Sequence, residues 1–90
     1  MKLLMRYTLE ELENCCGVES ELILRFVSLE WIKPIDSEKM IFDEEDLARV
    51  RLIHELQNVM GVNEEGIPIV LHLVDQLNRV HIEVQSRGAG

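Results

Sequence analysis

Two short helical segments separated by a tight turn open this sequence and constrain its fold most. Thr8 is followed three positions later by Glu11, which is the spacing of a capping box, and predicts a first helix to about Cys16 that Gly17 ends. A second helix is predicted to open at residues 18–21, with an apolar stripe of Leu22, Ile23, Phe26, Val27 and Leu29. Helices joined by so short a turn predict a helix-turn-helix.

The segment that follows predicts a small β wing. Pro34 disfavours helical backbone at the residue before it, and so predicts the end of the second helix near Trp31. The polar residues 36–39 then lie between short apolar segments, the second of which ends at Phe42. This pattern is typical of a hairpin with an exposed tip.

Two further helices are predicted after the wing. Asp43 is a suitable N-cap, followed by three acidic residues that a helix N-terminus favours, and the helix runs to about Met60. Its predicted core face comprises Leu52, Ile53, Leu56, Val59 and Met60. Gly61 closes this helix, and Asn63 is the predicted cap of a fourth one that runs to about Gln85, with Pro68 near its first turn.

The fourth helix has a wide apolar face, more than a body of this size is expected to cover. The face comprises Val70, Leu73, Val74, Leu77, Val80, His81 and Val84. We therefore expect a homodimer in which two such helices pack about a two-fold axis. The predicted fold is all-α with a small β wing: one domain at residues 1–85, divided into a helix-turn-helix with wing (1–42) and a two-helix segment (43–85), and a flexible tail at 86–90.

The charge of the chain is the opposite of what a helix-turn-helix usually requires. DNA-binding modules gain affinity from lysine and arginine that neutralise phosphates. This chain has 17 acidic and nine basic residues, for a net charge of −8. An acidic surface repels nucleic acid and anionic membranes and attracts a basic protein face. The pattern therefore predicts a protein partner and no specific binding to nucleic acid or membrane.

Two acidic clusters are candidates for that contact. Glu19 and Glu21 lie at the start of the second helix, where a DNA reader presents donors to bases and positive charge to phosphates. The predicted partner-binding residues are Glu19, Glu21, Glu30, Trp31, Asp36 and Glu38. The alternative is that Glu19 and Glu21 only complement the helix dipole on a solvated face. Residues 43–46 form a competing patch, for which helix capping is the stronger interpretation.

Catalytic, cofactor and metal sites are not predicted. Cys15 and Cys16 are adjacent and so point in different directions on a helix, and His54, His72 and His81 lack the i, i+4 spacing of paired ligands. The sequence also lacks a glycine-rich phosphate cradle and a nucleophile motif. Without a disulfide framework, a signal peptide or a long apolar run, we expect a cytoplasmic protein that is not an enzyme.

The order of these elements resembles the DNA-binding half of MerR-type regulators, on the pattern of Leu47, Val50, Ile53, Leu56, Gly61 and Ile67. Within that superfamily the chain is most similar to the bacterial chaperone modulator CbpM family. That likeness rests on Phe42, Asp43 and Glu44 after the wing, on the step from Gly66 to Ile67, and on an aliphatic helix with Asp75 in its middle. The arginine- and tyrosine-rich wing of MerR regulators is replaced here by residues 36–42, which contain a single base.

The resemblance implies a function for the acidic surface. CbpM proteins bind the J domain of a DnaJ-like co-chaperone of the CbpA type and block its stimulation of the DnaK-type chaperone. The alternative that the resemblance leaves open is a MerR-like DNA-binding transcriptional regulator. Arg25 matches an arginine in the second helix of those regulators, but it stands nearly alone.

Overall fold

In the described residues the fold consists of four helices and a two-stranded antiparallel sheet, and this mostly helical architecture with a small β wing is the predicted fold class. The computed structural model describes residues 5–88, with side chains described through Val80. In chain order the elements are β1 (Tyr7–Thr8), α1 (Leu9–Cys16), α2 (Ser20–Ser28), β2 (Ile41–Phe42), α3 (Glu44–Asn58) and α4 (Ile67–Gly88). Together they form a helix-turn-helix, a small wing and two further helices.

The turn between α1 and α2 forms as its sequence predicts. The Glu11 N–H donates to Thr8 Oγ1 at 3.2 Å, and the Thr8 N–H donates to Glu11 Oε1 at 3.0 Å, which completes the capping box. Gly17 has φ 69°, a left-handed conformation that a glycine adopts without strain. Its N–H donates to the Glu13 carbonyl at 2.8 Å, and the Glu13 carboxylate accepts from the Ser20 hydroxyl at 2.9 Å. Glu13 therefore ties the end of α1 to the start of α2.

The end of α2 differs from the prediction based on Pro34. The helix ends at Ser28, and Glu30 has φ 63°, so the chain reverses direction before the proline is reached. The Trp31 N–H then donates to the Phe26 carbonyl at 3.0 Å, and the two rings pack with centroids 5.6 Å apart. Trp31 is only 7% exposed. The reversal therefore places the Trp31 ring in the core, and the prediction that Trp31 contacts a partner is wrong for this ring.

The wing is a turn followed by strand β2, which pairs with β1 from a distant part of the sequence. The Ile41 N–H donates to the Asp36 carbonyl at 3.0 Å, and the Ile35 N–H donates to the Ile41 carbonyl at 2.8 Å. Beyond this bridge, β2 pairs with β1, with Tyr7 opposite Phe42 and Thr8 opposite Ile41. The sheet therefore joins the wing to the residues before α1, which the hairpin prediction did not include.

A single apolar core joins α1, α2, α3 and the start of α4. Its buried side chains are Leu12, Val18, Ile23, Phe26, Trp31, Ile32, Phe42, Val50, Ile53, Leu56, Ile67 and Leu71. The predictions for Ile53 and Leu56 are confirmed, and Leu52 is half-buried. Val59 and Met60 are 76% and 67% exposed, so their assignment to the core was wrong. The helix ends before them, and the Val62 N–H donates to the Leu56 carbonyl as the chain turns away.

The fourth helix begins later than its predicted cap. Asn63 caps a turn that precedes α4, because its side-chain oxygen accepts from the Gly66 N–H at 3.0 Å. A side chain at Gly66 would approach Val62 to 2.9 Å, so the turn requires a residue without Cβ or a shift of Val62. Ile67 and Leu71 are buried in the core, whereas Leu73 and Leu77 are exposed. Helix α4 is thus anchored by its first turns and extends away from the body to Gly88, three residues beyond the predicted end.

Candidate protein-binding surfaces

The exposed face of α2 is acidic, and its single base is already engaged. Glu19 and Glu21 are exposed at the N-terminus of the helix, and no hydrogen bond from the Glu19 side chain caps it. The Arg25 guanidinium forms an ion pair with Glu64 at 2.6 Å, which connects α2 to the segment before α4. The face that DNA-binding members of such folds turn toward the duplex therefore presents carboxylates and a neutralised guanidinium.

The predicted partner-binding residues are divided among three places. Glu19 and Glu21 lie at one end of α2, and Glu30 follows its other end, roughly 13 Å away along a nine-residue helix. Asp36 and Glu38 lie in the wing, where the Asp36 carboxylate accepts from the backbone N–H groups of Glu38 and Lys39 at 3.0 Å each. Asp36 is therefore occupied in shaping the turn, whereas Glu38 is exposed at its tip.

A groove of about 690 Å³ is lined by five acidic side chains. We call it the acidic groove. It is formed by the loop after α2, by the first three turns of α3 and by one side of α4. Its lining comprises Glu30, Trp31, Lys33, Asp43, Glu45, Asp46, Ala48, Arg49, Leu52, Val74, Asp75 and Asn78. Only Glu30 and Trp31 among the predicted contact residues belong to it, because the other walls come from distant parts of the chain.

Arg49 spans the acidic groove and connects its three walls. Its Nε donates to the Trp31 carbonyl at 2.7 Å, and its two terminal nitrogens donate to the two carboxylate oxygens of Asp75 at 2.7 and 3.1 Å. The hydrogen bond from Arg49 lowers the pKa of Asp75 from its usual range. This bidentate pair fixes α3 against α4 and satisfies the charge of Arg49 within the protein.

Asp46 is the one charged residue that the core buries among those whose side chains are described. It is 6% exposed, accepts from the Asp43 N–H at 3.1 Å, and donates its own N–H to the Asp43 carboxylate at 2.9 Å. These bonds form a second capping box, which supports capping as the role of Asp43 and Asp46 within the competing patch. Burial raises the pKa of Asp46 from 3.8 to about 6.

The raised pKa of Asp46 predicts a pH-dependent stability. Between pH 3.8 and about 6 the folded protein holds a proton on Asp46 that the unfolded chain has lost, so the free energy of unfolding from this group falls as pH rises. Asp46→Asn keeps an oxygen for the Asp43 N–H and removes the buried charge. We expect the variant to be more stable at pH 7 by roughly 1–3 kcal/mol. Urea unfolding across this pH range measures the difference.

The control for this prediction is Glu44→Gln, because Glu44 is exposed in the same turn of α3 and is not among the groups that shift the pKa of Asp46. It should retain the pH dependence of the natural protein. Equal slopes of unfolding free energy against pH in the natural protein and in Asp46→Asn would contradict the assignment.

The exposed part of α4 carries a continuous apolar row. Ile69, Leu73, Leu77 and Val80 are 64%, 53%, 69% and 56% exposed, and their spacing of three or four residues places them on one side of the helix. Of the predicted dimer residues, Leu73, Leu77 and Val80 belong to this row. Val70 and Val74 are half-buried, Val70 against the core and Val74 in the lining of the acidic groove. His81 and Val84 lie outside the described side chains. The prediction missed Ile69, although its position four residues before Leu73 was a signal for it.

The cysteines and histidines among the described side chains form no recognisable site. Cys15 is exposed, and burial raises the pKa of the Cys16 thiol, which donates to the Leu47 carbonyl at 3.8 Å. In the described part of the chain, histidine, cysteine and acidic residues do not gather in groups of three that could hold a metal ion. Within the same residues, no helix has both the length and the apolar character needed to cross a membrane.

Comparison with known families agrees with this architecture. Residues 7–86 match the family model described as MerR HTH family regulatory protein. No curated protein matches the chain. The match extends from β1 through most of α4 and so includes the helix-turn-helix, the wing and both later helices. The chain therefore belongs to the MerR helix-turn-helix family of regulatory proteins.

Proposed function

We propose that this protein is a chaperone modulator that binds the J domain of a DnaJ-like co-chaperone of the CbpA type and inhibits its stimulation of a DnaK-type chaperone. The observation that carries the proposal is the acidic face of α2, where Glu19 and Glu21 are exposed and Arg25 is paired with Glu64. The similarity of the sequence to the CbpM family gives the identity of the partner. The protein acts in the cytoplasm as a binding protein and catalyses no reaction.

Inhibition follows from competition for one basic surface. In the family analogy, the second helix of the J domain is basic and is also the surface that contacts the chaperone. An acidic protein that covers this helix excludes the chaperone from it. Complementary charges at the rim of such an interface mainly accelerate association, whereas a few desolvated contacts slow dissociation.

We further propose that the protein is a homodimer held together by α4. The apolar row of Ile69, Leu73, Leu77 and Val80 supports this assembly, because these large side chains are more than half exposed in a single copy. Burying them on the same row of a second α4 removes apolar surface from water in both chains. Helices of this length with such spacing pack as a two-stranded seam.

The alternative function is DNA-binding regulation, which membership in the MerR family favours. Phosphate contacts need several basic groups. Residues 20–42, from α2 through the wing, contain only Arg25, Lys33 and Lys39, and Arg25 is paired. We therefore expect no retention of duplex DNA in a gel-shift assay at low salt, where even nonspecific binders associate. A salt-sensitive, sequence-selective footprint would support the regulator instead.

Titration of the purified J domain tests the proposed function directly. We expect heat of binding in calorimetry and an association rate that decreases as salt is added. Glu21→Lys should slow association, because it reverses a charge on the α2 face. Glu10→Lys is the matched control, since Glu10 is exposed on α1 and its reversal changes the net charge equally. Absence of binding at tens of micromolar protein would contradict the proposal.

A further inference from the structure

The acidic groove combines a concave shape with an excess of negative charge. It has a volume of about 690 Å³ and is lined by five carboxylates and only two basic side chains, Lys33 and Arg49. Arg49 is already satisfied by Asp75 and by the Trp31 carbonyl. Lys33 is therefore the single cation in the lining that no bond to Asp75 or the backbone neutralises, and it shares the lining with the carboxylates of Glu30, Asp43, Glu45 and Asp46.

The groove already holds one guanidinium, which shows the kind of group that its walls accommodate. Arg49 lies between the loop after α2 and helix α4, and its side chain is 28% exposed. The lining also contains apolar groups from Ala48, Leu52 and Val74. Arginine and lysine side chains combine a cationic head with an aliphatic stem, so they can contact carboxylates and apolar surface together.

The environment of Asp46 separately supports the binding of a cationic side chain from a partner. Its buried carboxyl has a pKa raised to about 6, because desolvation penalises its charge and the hydrogen bond from the Asp43 N–H only partly offsets this penalty. The charged groups that line the groove around it are Asp43, Glu45 and Arg49 from α3, Glu30 and Lys33 from the loop, and Asp75 from α4. A cationic side chain entering from a partner would favour the ionised form of Asp46.

We propose that the acidic groove docks a basic segment of the protein partner, with arginine or lysine side chains inserted between the loop after α2 and the N-terminal turns of α3. The identity of the partner rests on the proposed function, whereas the location and the cationic chemistry rest on the groove. A second copy of this chain is a poor occupant, because it is itself acidic. The apolar row of α4 also lies on a different side of that helix from the groove, because Leu77 in the row is about 160° around the helix from Asp75 in the groove lining.

Dissociation kinetics of the J-domain complex test this location. Glu30→Lys and Glu45→Lys should each raise the dissociation rate about tenfold or more, because each reverses a contact inside the docking site. Lys33→Glu should slow dissociation, because it removes the repulsive cation. Glu19→Lys and Glu21→Lys are matched controls with the same change of net charge, and they should alter association only.

The opposite pattern would contradict docking in the acidic groove but would leave the proposed function in place. If Glu19→Lys and Glu21→Lys raised the dissociation rate while the groove variants left it unchanged, the N-terminal face of α2 would be the docking site.

Binding should also release a proton near pH 6, since entry of a cation lowers the pKa of Asp46. Calorimetry in buffers of different ionisation enthalpy measures that proton, and Asp46→Asn should abolish its release.

A basic peptide tests the location of the docking site even if no J domain binds. Titration of the isotope-labelled protein with a lysine- and arginine-rich helical peptide should shift the backbone amide signals of the groove lining, on the loop after α2, on α3 and on α4. Glu30→Lys combined with Glu45→Lys should abolish these shifts, and Glu10→Lys combined with Glu19→Lys should leave them. Shifts spread over all acidic surfaces, or centred on the start of α2, would refute the proposal.

Discussion

Leu77→Glu is expected to convert the protein from a dimer into a folded monomer. Leu77 is 69% exposed in a single copy, so glutamate can be accommodated there without entering the core. In the proposed dimer the same position lies in an apolar seam, where an unpaired carboxylate loses its hydration. Two such charges face each other across a two-fold axis. Sedimentation should therefore show half the molecular mass at micromolar concentration, with the helical circular dichroism signal retained.

Asn78→Glu provides the control for the seam. Asn78 is exposed on the same helix but about 100° or more around it from every member of the apolar row, so its replacement adds a carboxylate outside the seam. This variant should remain dimeric. A natural protein that sediments as a monomer at micromolar concentration would contradict the assembly, as would a Leu77→Glu variant that remains dimeric.

Trp31→Ala is expected to destabilise the fold by about 3–5 kcal/mol, the range for truncating a large aromatic side chain in a core. The ring is 7% exposed and packs on Phe26 at 5.6 Å between centroids. The variant removes that packing and leaves a cavity beside Phe26. Chemical denaturation at pH 7 measures the loss, which is a large fraction of the stability of a small domain.

Ile35→Ala is the matched control, because Ile35 is an apolar side chain of the same loop region that is 46% exposed. Its replacement should change the free energy of unfolding by no more than roughly 0.5 kcal/mol. A Trp31→Ala variant with unchanged stability and faster release of the J domain would instead restore Trp31 as a partner contact. The structure thus turns a binding prediction into a stability prediction.

Local signals in the sequence were sufficient for the starts of α1 and α3. Thr8 and Asp43 cap α1 and α3 through hydrogen bonds to residues three positions later, and Gly17 adopts the left-handed conformation that ends α1. Such interactions depend on neighbours in the chain, so their spacing can be read directly. The acidic character of the surface also follows from composition, because charged side chains are rarely buried without a partner.

Long-range packing decided what the sequence could not predict. The left-handed backbone at Glu30 turns Trp31 into the core, and glutamate is not a residue type that signals such a conformation. Strand β2 pairs with residues before α1, more than thirty positions away in the chain. The acidic groove has the same origin, since its walls come from three separated segments. Its proposed partner-binding role could not be anticipated from the α2 cluster alone.

Above all, we propose that this protein prevents a J domain from stimulating a DnaK-type chaperone. The most direct measurement is the steady-state rate of ATP hydrolysis by the chaperone with its J-domain co-chaperone, as increasing amounts of this protein are added. We expect stimulation to fall toward the basal rate at tens of micromolar protein, with excess J domain restoring it. Full stimulation at every concentration of this protein would contradict the account.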